Sequence, residues 1–140
     1  MAREAAIFIF YDSTTGKVLA EKRRLDAPRY PNEIIFPSGL IEESEKGNPV
    51  ATMLREVSEE LGVKPIQYVQ LSPHSPIYDT DQTTTRLYPF LITRWEGVVP
   101  AAVLDKGNPL VWETFEEVSR SPVATRALFA KLVMEYLDLQ

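Results

Sequence analysis

The sequence predicts a single α+β domain, a sandwich in which helices cover a sheet. Three observations carry that prediction. Short runs rich in β-branched and aromatic residues recur along the chain and outnumber the stretches with helical spacing. Two helical stretches flank those runs, as a layered α+β arrangement requires. The length of 140 residues with 44% hydrophobic content suits one domain, spanning residues 1–140, with one core.

Each element has a local reason. Ala5 to Tyr11 is a nearly continuous apolar run and reads as a buried strand. Asp12 to Gly16 is a turn, and Lys17 to Arg23 returns as a second strand. Pro28 and Pro31 mark Leu25 to Glu33 as a loop; Ile34-Ile35-Phe36 is a short strand stopped by Pro37-Ser38-Gly39. Asn48 is placed as a helix N-cap with Pro49 at the first helical position, and Gly62 supplies the stop. Ile66 to Leu71 and Leu87 to Trp95 read as strands, with Ser72 to Arg86 as a long hairpin loop between them. Val98 to Leu104 is a further strand candidate, and Asp105 to Pro109 is a turn before Leu110-Val111-Trp112. Val123, Ala127, Leu128, Leu132, Tyr136 and Leu137 give a terminal amphipathic helix.

Composition excludes several chemistries. Cysteine is absent, which removes disulfides, zinc-thiolate sites and a cysteine nucleophile. The one histidine, His74, lies in a Pro/Ser-rich stretch and reads as a loop residue, so Ser-His-Asp catalysis is not the default. The start lacks a signal-peptide layout and no apolar run approaches the roughly 18 residues of a membrane span, so a soluble cytoplasmic protein is expected. A net charge of -5 argues against a nucleic-acid polymer as partner, but not against a small polyphosphate.

The informative segment is Arg55-Glu56-Val57-Ser58-Glu59-Glu60-Leu61-Gly62-Val63. Glu56, Glu59 and Glu60 sit at i, i+3 and i+4, beside the apolar face formed by Val50, Met53, Leu54, Val57 and Leu61. Like charges at that spacing repel in an isolated helix. A solvated helix face is the bland explanation; a divalent cation bound by hard oxygen ligands is the chemical one.

The chain resembles the Nudix hydrolases through this segment and the loop before it. Their box runs Gly, five residues, Glu, seven residues, Arg-Glu, an apolar residue, any residue, Glu-Glu, any residue, Gly, an apolar residue. Gly39 and Glu45 match the first half, and Arg55 to Val63 matches the second. Nine residues rather than seven separate Glu45 from Arg55, an insertion expected to lengthen the loop near Glu43 to Gly47. The chain looks most like MutT-type members, which share a basic strand end (here Lys22-Arg23-Arg24), a Phe-Pro-x-Gly segment and an Arg-Trp-Glu-Gly segment (here Arg94 to Gly97).

That resemblance implies an α/β/α sandwich with a mixed central sheet, the catalytic helix on one side and the C-terminal helix on the other. It implies a cytoplasmic hydrolase of a P–O–P bond in a nucleoside diphosphate-linked substrate, a monomer or homodimer, using Mg²⁺ or alternatively Mn²⁺. Glu56, Glu59 and Glu60 would be the metal ligands, with a backbone carbonyl near Ser38, and Arg55 would orient the carboxylates. Relatives carry a further glutamate in the loop before the tryptophan matching Trp112; the position here is Lys106. Asp105 and Glu59 are therefore both candidates for the general base. Gly39 belongs to the substrate-facing loop. Arg23 and Arg24 alternate faces, so at most one should enter the cleft, and the distance from Phe36 favours Arg24 as a phosphate contact. Phe36, Tyr78 and Trp95 are candidates to stack a base. A (deoxy)nucleoside triphosphate is the expected substrate, with ADP-ribose or a dinucleoside polyphosphate as the alternative. A nucleotide-binding regulatory module without turnover is the alternative of another class.

Overall fold

The computed structural model describes residues 3–27, 31–71, 77–78 and 85–138. Its centre is the pair β1 (Arg3–Asp12) and β7 (Thr85–Glu96), which run parallel from Arg3 opposite Thr85 to Phe10 opposite Ile92. The other edge of β1 is shared. Ala5 to Ile7 pair antiparallel with β4 (Ser38–Leu40), whereas Tyr11 and Asp12 pair with β2 (Lys17–Lys22). β2 continues outward to β3 (Ile34–Ile35) and β8 (Leu110–Glu113), while β5 (Lys64–Gln70) and β6 (Ile77–Tyr78) both pair with β7. Parallel and antiparallel pairs together make the sheet mixed.

The alternation of β1 explains its unbroken apolar sequence. Ala5, Ile7 and Ile9 join one core layer with Leu87, Leu91 and Phe129. Ala6, Phe8 and Phe10 join the opposite layer with Met53, Val57 and Phe90. A strand covered on both faces needs an apolar side chain at every step. The first layer is closed by α2 (Phe115–Ser119) and α3 (Ala124–Asp138), the second by α1 (Pro49–Leu61).

Helix α1 begins and ends where its local chemistry dictates. The Asn48 side chain accepts from the Ala51 amide at 3.3 Å, Pro49 opens the helix, and Gly62 closes it at φ +66°. No helix among the described residues is long and apolar enough to cross a membrane.

Several elements differ from the sequence reading. The strand before Pro37 does stop, as β3 covers Ile34–Ile35, but Ser38–Leu40 then forms β4 because the free edge of β1 supplies partners. Val98 to Leu104 is not a strand; Ala102 and Pro109 make one isolated bridge there, and the Leu104 amide bonds the carbonyl of Glu60 instead. A third helix, α2, follows β8, opened by a reciprocal capping box between Thr114 and Glu117. Within the expected loop from Ser72 to Arg86, Ile77–Tyr78 pairs with β7; His74 lies outside the described residues.

Candidate active site

Residues of β1, β2, β3, β4, α1 and α3 line a cavity of about 350 Å³. Its α1 wall carries Glu56 and Glu60, one helical turn apart, and its β2 wall carries Glu21 and Arg23, two residues apart. Ile7, Leu87, Val123 and Phe129 make another part of the lining apolar. One cavity thus joins a carboxylate region to an apolar one.

The loop from Gly39 to Glu45 is fastened to α1 through Arg55. Arg55 Nε donates to Glu45 Oε2 at 2.8 Å and its second terminal nitrogen to Glu45 Oε1 at 2.9 Å. Its first terminal nitrogen donates to Glu56 Oε1 at 2.8 Å and Glu59 Oε2 at 3.2 Å. Thr52 Oγ1 adds a 2.8 Å bond to Glu45. The Arg55 guanidinium holds the Glu45 carboxyl well below the usual range, at about 2. In turn Glu45, then Glu56, fix the guanidinium more firmly in its charged form. Glu45 therefore anchors Arg55 despite the longer spacing between them, and Lys46, Gly47 at φ +81° and the cap Asn48 link it to α1. Gly39 lies directly against Glu56, and a Cβ at this position would overlap the Glu56 Cγ.

Glu60 is the most perturbed acid of the cavity. It is 6% exposed, and burial pushes its carboxyl up to about 7; Lys106 pulls the other way, while Glu56 and Glu21 add to the rise. Lys106 Nζ lies 3.4 Å from Glu60 Oε1, and Glu60 Oε2 is buried without a hydrogen-bond partner among the described residues. A buried carboxylate oxygen left without a partner, in a cavity also lined by Glu56 and Glu21, fits a bound cation better than a closed structural network.

The expected site residues divide. Glu56, Glu60, Ser38, Gly39, Phe36 and Arg23 line the cavity. Glu59 does not line it; its side chain is 60% exposed and held by Arg55. Among the described residues no three acidic or histidine side chains converge as a ready cation cage. Asp105 is exposed and lies outside the lining, where Lys106 stands instead. Arg24 corrects the expectation for the basic pair: it projects to solvent and pairs with Asp26 at 3.4 Å, whereas Arg23 enters the cavity. Strand β2 ends at Lys22, so distance from Phe36 did not set the facing residue. Trp95 is also removed from the site, since its ring packs edge-on against Phe10 at 5.1 Å and stacks on Trp112 at 6.2 Å. Tyr78 contributes a backbone pairing with Arg86; its side chain lies outside the description.

Two cavity residues escaped the sequence reading. Arg126 is 3% exposed, donates to Glu113 at 2.8 Å, and lies 5.4 Å from the centre of the Phe36 ring. Its signal is a charge inside the apolar stripe of Val123, just before α3, and Ala130 and Val133 within it. Glu21 is 4% exposed and accepts from the Asn108 amide at 2.8 Å. Its signal is an acid on a strand otherwise buried at Val18, Leu19 and Ala20.

The NUDIX domain family model matches residues 1–134. The chain belongs to the Nudix family and is a Nudix hydrolase. Its fold is similar to the NUDIX domain of Shewanella oneidensis NrtR complexed with ADP ribose, at 16% identity and a TM-score of 0.76, covering 98% of this chain and 89% of that one. It is similar to the MutT NUDIX hydrolase of Burkholderia pseudomallei, at 17% identity and a TM-score of 0.74, covering 95% and 98%. The MutT protein of Bacillus halodurans aligns at 21% identity and a TM-score of 0.65, covering 91% and 79%. At these identities the likeness is one of fold. No curated protein matches the chain in sequence.

Proposed function

We propose that the chain hydrolyses a P–O–P bond in a nucleoside diphosphate-linked substrate, with a (deoxy)nucleoside triphosphate as the substrate and a divalent cation as the cofactor. The observation that carries this reading is Glu60, buried in the cavity beside Glu56 with one carboxylate oxygen unpartnered. Glu56, Glu59 and Glu60, with a backbone carbonyl near Ser38, are the groups that would hold Mg²⁺ or Mn²⁺. Such an ion supplies Lewis-acid chemistry: it neutralises phosphate charge and makes a water acidic enough to attack.

The chain's own residues do the rest. Arg23 supplies a cation for the phosphates from the β2 wall. The apolar lining around Phe36, Leu87 and Phe129 accepts the organic part of the substrate and excludes water there. Glu45 and Arg55 keep Glu56 and the Gly39 loop in register. A water oxygen forms the new bond to phosphorus, the bridging P–O bond breaks, and the water's proton passes to a carboxylate. Glu59, on the same helix as Glu56 and Glu60, and Asp105, beside Lys106, are the two candidates for that proton; both are exposed and outside the cavity lining.

A second reading, hydrolysis of ADP-ribose, is favoured by the likeness to an NrtR domain that was crystallised with that nucleotide. A nucleotide panel with Mg²⁺ and Mn²⁺ at mildly alkaline pH tests both. Pyrophosphate release from triphosphates supports the first reading, and AMP from ADP-ribose supports the second. Tight nucleotide binding with no turnover across the panel would overturn both in favour of a regulatory module.

A further inference from the structure

Lys106 does more than replace an acid. Its loop is fixed at both ends: the Leu104 amide bonds the Glu60 carbonyl at 2.9 Å, and the Asn108 side chain bonds Glu21 at 2.8 Å. Between them the Gly107 amide closes on the Val103 carbonyl at 2.8 Å, with Gly107 at φ +72°. The loop therefore delivers the ammonium to one oxygen of Glu60, 3.4 Å away, while the other oxygen has no partner among the described residues. Glu60 is buried, but the Lys106 side chain is 52% exposed. The acid is fixed and its cation can leave.

On the footing of the metal-dependent reading above, we propose that Lys106 is a tethered counter-ion that a divalent cation must displace from Glu60. Once displaced, its ammonium serves as a ligand for the polyphosphate. A divalent cation on the unpartnered oxygen of Glu60 brings twice the charge to the carboxylate whose other oxygen holds the ammonium, and two cations on one carboxylate repel. The ammonium turns aside, yet its loop is held to α1 and β2, and Lys106 lines the cavity. Its positive charge thus stays where phosphates bind, and it regains an anionic partner only when they arrive. Cation and polyphosphate consequently favour each other's binding, each raising the affinity for the other by the same factor. Without a polyphosphate, the lysine keeps the site reluctant to take up metal.

Two binding measurements test this, neither of which reads turnover. Mn²⁺ binding to the protein alone is followed by electron paramagnetic resonance. Binding of a methylene-bridged nucleoside triphosphate analogue at saturating Mn²⁺ is followed by calorimetry. Lys106→Met should tighten Mn²⁺ about tenfold and weaken the analogue about tenfold. A merely structural lesion would weaken both, so the opposite signs are the signature. Lys131→Met makes the same charge change at an exposed α3 position outside the cavity lining, and should move neither. Mn²⁺ affinity unchanged within about twofold in Lys106→Met, with binding abolished by Glu60→Gln, would overturn the lysine's role and leave the metal site standing. Mn²⁺ binding that ignores Glu60→Gln would overturn the metal site and this inference together.

Discussion

At the scale of single residues, two glutamates shift in opposite directions and predict opposite pH dependences. Burial raises Glu60 to about 7, above the 4.5 of an exposed glutamate. Between those values the folded state binds more protons than the unfolded one, so metal-free stability falls as pH rises through that window, by up to roughly 3 kcal/mol. Urea denaturation in chelator from pH 5 to 8 should show the decline, and Glu60→Gln should flatten it. Glu45 is lowered to about 2 by Arg55, so its contribution is present above about 4.5 and is lost as pH falls toward 2. Gly39→Ala tests the close approach of loop to helix: the added methyl meets Glu56, and about 1–3 kcal/mol of stability should be lost by denaturant titration. Glu60→Gln should also reduce hydrolysis at least about a hundredfold while the circular dichroism spectrum is preserved. The acids of α1 were legible because their spacing is local. Arg23 was not separable from Arg24, since the point where β2 ends depends on its pairing with β3 and β8.

At the scale of elements, local punctuation was read well and tertiary pairing was not. Asn48, Pro49 and Gly62 delimit α1 through bonds made within a few residues of themselves. Asn48→Ala should cost about 1 kcal/mol in thermal or denaturant unfolding through the lost cap. The short α2 carries an equally local signal in Thr114 and Glu117, and reading that capping box would have revealed it. By contrast β4 owes its existence to the edge of β1, more than thirty residues away in sequence, and Pro37 alone suggested a stop. Trp95 shows the same limit, because an aromatic residue at a strand end can serve either a base or a core. Its contacts with Phe10 and Trp112 place it half-buried against the core. Trp95→Ala should therefore cost about 1–3 kcal/mol of stability and leave the KM for nucleotide near the wild-type value.

At the scale of the whole molecule, the site exists because β1 divides its outer edge between β4 and β2. The α1 acids, the β2 pair and the α3 residues reach one cavity only after that division. No window of sequence contains it, which is why Glu21 and Arg126 entered the site from the structure alone. The parallel pairing of β1 with β7 also has a cost during synthesis. Arg3 meets Thr85, so the apolar strand leaves the ribosome 82 residues ahead of its neighbour. At typical elongation rates that is a delay of roughly 4–16 s. For that interval Ala-Ala-Ile-Phe-Ile-Phe is a nascent segment lacking its β7 edge and the α2 and α3 cover of one face, a natural substrate for a ribosome-associated chaperone.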